Sequence, residues 1–268
     1  MMQEQNQWMK ITMGILLIAG MLLLLAKLAA MMTDAHRVTM LSEEGVSGQM
    51  DGTNTGQDMT GANDISSNSS SREREPGQLC IVIDPGHGGA DPGKVGVNGV
   101  LEKDINLQMA FLLKERLEEE GFYVVMTRES DQSLRSENSG SSKVEDLQNR
   151  IRLMAQEEPV LAVSIHQNSY TQESVCGAQT FYYETSEEGR RLAECIQEQL
   201  IIAADDGNHR QIKGNTSYFL LKKTPVTTVI VECGFLSNWR EAELLTQEDY
   251  QRLMVNAIAD GILEYLEE

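Results

Sequence analysis

The sequence predicts an α/β fold: a single domain with a mostly parallel central sheet covered by helices on both faces. Three observations carry this. From residue 79 onward, short apolar runs alternate with helix-spaced stripes, the pattern of repeated strand–helix units. Runs such as Val160–Ile165 are apolar without a polar–apolar alternation, as in strands covered on both sides. Two of the four histidines, His87 and His166, follow such runs, at the edge where parallel sheets form their ligand crevices.

The elements follow in order. Cys80–Ile83 is a short buried strand, followed by a Gly-rich loop from Pro85 to Gly99. Apolar residues at 105, 109, 112, 113 and 117 mark a helix over Ile105–Glu120, with Asp104 as N-cap and Gly121 as stop. Tyr123–Met126 is the second strand, and residues 129–143 form a polar, Ser-rich loop. Val144–Gln156 is helical by spacing. Val160–Ile165 and Ala178–Tyr183 are strands. Thr185-Ser186-Glu187-Glu188 reads as a capping box opening a helix through Leu192, Ile196 and Leu200. Tyr218–Leu221 and Thr227–Val231 read as strands, and Glu248–Leu266 as the closing helix.

Upstream, the composition changes. Residues 1–10 are a short tail. Residues 11–32 are apolar apart from Lys27 and long enough to span a bilayer. A membrane anchor is the expectation; a signal peptide, cleaved near Leu28-Ala29-Ala30, is the alternative. Residues 33–78 form a linker. From residue 41 it is dominated by Gly, Ser, Asn, Thr, Asp and Glu, with little apolar surface to bury.

Net charge is −19, which disfavours nucleic acid as a partner, because such binding needs cations against phosphates. None of the four cysteines is in CxxC spacing, so neither a zinc knuckle nor a redox pair is indicated. Cys80 and Cys233 sit in or beside apolar runs as small buried hydrophobes, and Glu232 beside Cys233 disfavours a thiolate nucleophile.

The chemistry lies at the strand ends. His87 follows the first strand, His166 follows Val160–Ile165, and Glu232 follows Thr227–Val231; the first loop returns Glu102. Two histidines and one carboxylate can hold a zinc ion and leave a position open for water. A second carboxylate, not bound to the metal, must then move the water's proton. Glu102 returns on the same loop as His87, which favours it as the ligand and Glu232 as the acid–base group; spacing alone also permits the reverse. Arg128 is a candidate for a substrate carboxylate or a structural ion pair. Asn168 is a candidate for orienting substrate or a ligand histidine, or for capping its loop. Asn238, three residues before Glu241, reads as a capping box. His36 and His209 lie in polar surroundings and read as solvated.

The motifs Asp84–Gly89, Glu102-Lys103-Asp104, Thr127-Arg128, Ser164–Asn168 and Glu232–Asn238 occur in order across residues 79–268. In this the chain resembles the zinc-dependent N-acetylmuramoyl-L-alanine amidases of bacterial cell walls, the Amidase_3 family. The resemblance implies His87, Glu102 and His166 as zinc ligands, Glu232 as the catalytic residue, and peptidoglycan as the substrate. It implies cleavage of the amide between the lactyl group of muramic acid and L-alanine. It also implies that the domain lies outside the cytoplasm, tethered by residues 11–32 or secreted. Ala155, Val160 and Gln211 depart from the family's usual Asn, Asp and Gly; none is a proposed ligand. The segments Gly177–Tyr182 and Val231–Asn238, with one N-terminal anchor, are most similar to the germination-specific spore-cortex amidases, which strip stem peptides so that muramic-δ-lactam can form. An accessory protein is compatible with this reading, and no motif specifies one. The competing readings are a vegetative amidase of division or autolysis, another zinc peptidase, and a non-catalytic wall-binding protein.

Overall fold

The computed structural model describes residues 74–135, 143–204 and 208–267. The expected anchor at 11–32, His36 and the linker as far as residue 73 lie outside the described residues. Among those described, no helix is long and apolar enough to cross a membrane.

Six strands form one sheet: β1 (Cys80–Pro85), β2 (Tyr123–Met126), β3 (Leu161–Asn168), β4 (Gln179–Tyr183), β5 (Lys213–Asn215) and β6 (Thr228–Phe235). Their order is β2-β1-β3-β6-β4-β5. The first four of these neighbours pair in parallel, as expected. The β4–β5 pair is parallel within itself but runs antiparallel to β6.

Among the described residues, six helices accompany the sheet: α1 (Glu102–Glu119), α2 (Lys143–Gln156), α3 (Glu187–Ala203), α4 (Phe219–Lys223), α5 (Trp239–Leu244) and α6 (Glu248–Glu267). The strands' period of two places alternate residues on opposite faces, and both faces are apolar. Ile81 and Ile83 join Met109, Leu113, Leu192, Ile196, Met254 and Ile258 in the larger core. Cys80 and Val82 join Met154, Phe181, Leu220 and Leu221 in the smaller one. Each fully buried aliphatic side chain contributes roughly 1.5–3 kcal/mol, so β1, buried at all six positions, anchors both layers.

Four local expectations are corrected. Tyr218–Leu221 is not a strand: Phe219–Lys223 is a helical turn with Tyr218 before it. The Asn215 side chain accepts from the amides of Ser217 and Tyr218, and this Asx turn bends the chain before the apolar run. The N-cap of α1 is Leu101, not Asp104. The returning loop supplies the partners a capping side chain would have provided, with Lys94 O and Pro92 O accepting from the amides of Glu102 and Lys103. Ser186 rather than Thr185 caps α3, accepting from Gly189 N. Finally, β3 and β6 run on through Asn168 and Phe235, so His166 and Glu232 lie within strands rather than after them.

Candidate metal and active site

Three elements deliver three ligand-type side chains to one point. β1 ends at Pro85, and Gly86 N donates to Ile165 O across to β3 at 3.0 Å. His87 follows with φ 62°, a left-handed conformation uncommon outside glycine. Its Nε2 lies 3.2 Å from Glu102 Oε1 on the first turn of α1. His166 Nδ1, from β3, lies 3.0 Å from the same oxygen. The two imidazoles meet edge to face with centroids 4.9 Å apart. One ligand atom from each of the three residues falls within 4.8 Å of the others, an arrangement that could hold a metal ion.

Glu102 is 2% exposed, so its charge must be met by the protein. Its Oε2 accepts from Lys94 N at 2.8 Å, and Oε1 accepts from Gln167 N at 3.1 Å and Asn106 Nδ2 at 3.4 Å. Burial would raise its pKa, but hydrogen bonds from His166 and His87 outweigh burial and hold it well below the carboxylate range. His166 is shifted up: burial opposes its charge, and Glu102 more than offsets that.

Glu232 is different. It stands opposite His166 in the β3–β6 ladder and is buried, and among the described residues its Oε2 has no hydrogen-bond partner. Burial pushes its pKa up to about 7, with Glu102 adding and the two histidines opposing. An unpartnered buried carboxyl oxygen is costly and marks a group set to meet something from the groove. That groove has a volume of about 890 Å³, with His87, Glu102, His166 and Glu232 in it and Asn168 and Tyr218 along its wall. This is ample for a small-molecule or peptide segment.

A model of the Amidase_3 family, described as N-acetylmuramoyl-L-alanine amidase, matches residues 81–264. The chain belongs to this family. The amidase is 39% identical over 191 residues to the germination-specific N-acetylmuramoyl-L-alanine amidase of Bacillus subtilis (strain 168), a match covering 70% of this chain and 80% of the relative. Among solved structures it resembles the CwlD amidase from Clostridioides difficile in complex with the GerS lipoprotein. There the identity is 39% and the TM-score 0.68, over 71% of this chain and 99% of that one. It also resembles the catalytic domain of CwlV, an N-acetylmuramoyl-L-alanine amidase from Bacillus (Paenibacillus) polymyxa var. colistinus, at 30% identity and TM-score 0.62, over 71% and 99% of the two chains.

Two of the amidase's expected substrate contacts change meaning. Arg128 is 2% exposed, and its guanidinium is committed to main-chain carbonyls: Pro85 O at 3.0 Å, Gly86 O at 3.0 Å, Lys103 O at 2.8 Å and Ser130 O at 3.1 Å. It is neither free for a substrate carboxylate nor an ion pair; it ties the His87 loop to α1. Asn168 does reach the groove, but its Oδ1 accepts from Ser169 N at 2.8 Å, the loop-capping role. Asn238 caps α5 by accepting from Glu241 N, whereas Glu241 turns to Gly177 N and Phe235 N, so the box is one-sided. His209 is exposed and takes no part in the cluster.

The sequence reading missed four residues of the amidase site. Arg150, 2% exposed, donates to Asp84 Oδ1 at 2.8 Å, Pro85 O at 2.8 Å and His87 O at 2.6 Å. Asn106 donates to Gly86 O at 3.2 Å, and Gln167 donates to Asn106 Oδ1 at 3.3 Å, forming a buried amide pair behind Glu102. Asp91 Oδ2 lies 3.0 Å from His87 Nδ1. The burial of Arg150 four residues before Met154 on α2 was the one periodic signal available; contacts within an irregular loop leave none.

Proposed function

We propose that this protein is a zinc-dependent amidase of peptidoglycan. It hydrolyses the amide between the lactyl carboxyl of N-acetylmuramic acid and L-alanine, with residues 11–32 holding the domain at the membrane on its outer side. The observation that carries this is the His87–Glu102–His166 cluster facing a buried carboxyl that lacks a partner. Each imidazole turns a nitrogen to one carboxylate oxygen. Wherever that nitrogen carries a lone pair, only a cation between the two acceptors reconciles them. Tetrahedral zinc holds its ligand atoms about 2.0–2.2 Å away, which sets neighbouring ligand atoms about 3.3 Å apart. The 3.2 and 3.0 Å separations from Glu102 Oε1 suit that spacing.

When bound, zinc supplies Lewis acidity, lowering the pKa of a water and polarising the amide carbonyl. The chain supplies the rest. Glu102 stays ionised and orients both imidazoles. Glu232 accepts the attacking water's proton at Oε2 and passes it to the alanine nitrogen as the C–N bond breaks. The water oxygen remains on the lactyl carboxyl, and the stem peptide leaves with a free amino end. A carboxyl near 7 serves both halves of that transfer at neutral pH, because acid–base groups work best close to the ambient pH.

The 39% identity to a germination-specific amidase supports a role in the spore cortex, where removal of stem peptides clears muramic acid for lactam formation. The test uses the purified full-length protein with zinc and isolated peptidoglycan. Intact stem peptides with free L-alanine amino termini are expected; shortened peptides still attached to muramic acid point to a peptidase instead. Glu232→Gln is expected to keep zinc and lose about 10²–10⁴-fold in turnover, and residual activity within about tenfold of wild type refutes its role. A deletion strain is expected to make cortex depleted in muramic-δ-lactam; unchanged cortex assigns the enzyme to the vegetative wall.

A further inference from the structure

Behind His87, on the side away from Glu102, stands a carboxylate that the proposed reaction does not use. Asp91 Oδ2 is 3.0 Å from His87 Nδ1. Its other oxygen accepts from Lys143 Nζ at 3.1 Å and Gly93 N at 3.4 Å. Gly88 and Asp91 exchange both main-chain hydrogen bonds, at 3.0 and 3.1 Å, so the imidazole and carboxylate sit at two ends of one closed turn. Both Asp91 oxygens are therefore engaged, and the carboxylate's place does not depend on substrate.

An ionised carboxylate only accepts. Facing Asp91, His87 Nδ1 must carry the hydrogen, and Nε2 is left to present its lone pair toward Glu102 Oε1. Metal-ligating histidines are commonly held this way, and loss of the outer partner weakens metal binding by about 10–100-fold. His166 has no counterpart: among the described residues its Nε2 makes no hydrogen bond. Its ring instead packs so closely on Gly86 that a Cβ there would stand 2.3 Å from Nε2. The two imidazoles are thus held by different means, one by a hydrogen-bonded carboxylate and one by packing.

We propose that Asp91 is a positioning residue. It locks His87 in the Nδ1–H tautomer and aims Nε2 at the metal, which makes His87 the anchored histidine of the pair. Lys143, on the first turn of α2, adds an exposed outer contact to Asp91 Oδ1. The inference rests on the zinc reading above and deepens it.

The test compares full-length wild type, Asp91→Asn and Lys143→Met. Zinc affinity is measured by competition with a chromophoric chelator, and the His87 Nδ1 proton is followed by ¹H–¹⁵N NMR. Asp91→Asn keeps the shape of the side chain, so the metal-free melting temperature is expected to stay within about 2 °C of wild type. Its zinc affinity is expected to fall about 10–100-fold, and its Nδ1 proton to lose the downfield, slowly exchanging signal expected of wild type. Lys143→Met, which removes only an exposed outer contact, is expected to cost about threefold or less, as exposed ion pairs do. Zinc affinity in Asp91→Asn within threefold of wild type, or an unchanged Nδ1 signal, overturns the proposal and leaves the amidase intact. Wild type that takes up no zinc sinks the zinc reading instead, and the Nδ1 signal of the metal-free protein then still decides the Asp91–His87 bond.

Discussion

Gly86 shows how a single missing side chain can shape a catalytic site. Its backbone is not in the left-handed region, so alanine is conformationally acceptable there. The obstacle is the neighbour, since an added Cβ would stand 2.3 Å from both Nε2 and Cε1 of His166. A ring on a strand cannot yield that distance without leaving its place opposite Glu232. Gly86→Ala is therefore expected to fold but to lose at least the about 10–100-fold in zinc affinity that disturbed outer partners cost, with turnover falling in parallel. Circular dichroism with chelator competition checks this, and an alanine variant with wild-type zinc affinity contradicts it. At this scale the sequence was partly legible. His87, Glu102, His166 and Glu232 were readable because each is a rare or charged residue at a strand end or in the Gly-rich loop. Arg150 and Asn106 were not, nor was the role of Arg128, because all three hold main-chain carbonyls of the His87 loop. Such contacts have no periodicity and no matching charge in the sequence.

Among the elements, the reversal of β4 has the clearest consequence. Gln179 pairs with Glu232 while Tyr182 pairs with Val229, so β4 begins beside the site and ends at the opposite edge. The start of α3 therefore lies away from the chemistry. Its N-cap can be tested without touching the reaction: Ser186 accepts from Gly189 N at 3.0 Å. Ser186→Ala is expected to cost about 1 kcal/mol and lower the melting temperature by about 2–4 °C for a domain of this size, with kcat/KM unchanged. A loss of turnover without loss of stability contradicts the geometry. The strand–helix alternation was legible because each long helix carries a repeating apolar stripe. The turn at α4 was not, because a four-residue apolar run fits a strand or a helix equally well, and the Asn215 side chain decides between them. The run between β3 and β4 is short and has no helical stripe, a sign that no crossover helix fits there.

For the molecule as a whole, acid stability turns on Asp84. Buried at the end of β1, it accepts from Thr127 Oγ1 at 2.6 Å, Ser164 Oγ at 2.6 Å and Arg150 at 2.8 Å, tying β1, β3, α2 and the segment after β2 together. Burial alone would raise its pKa; the Arg150 charge and these hydrogen bonds bring it to about 2, below the ordinary 3.8. The folded value lies below the unfolded one, so the contribution is fully present above about pH 4 and is lost as pH falls toward 2. It amounts to about 2 kcal/mol. Asp84→Asn leaves Arg150 buried without its partner and is expected to cost about 3–5 kcal/mol at neutral pH. The gap to wild type should narrow by about 2 kcal/mol between pH 4 and pH 2. Urea unfolding across that range measures it, and a gap that does not change with pH removes Asp84 from the acid response.

Where β6 runs past His166, it carries one more residue than β3: the ladder passes from His166↔Glu232 to Asn168↔Phe235. In an unbroken ladder, inserting or deleting a residue would turn every later side chain over. Here the slack comes after Glu232, so the stretch from Cys233 onward can lengthen or shorten without rotating the acid away from the imidazole it faces. Length changes on the way from β6 to α5 can thus be absorbed while the reacting pair keeps its alignment.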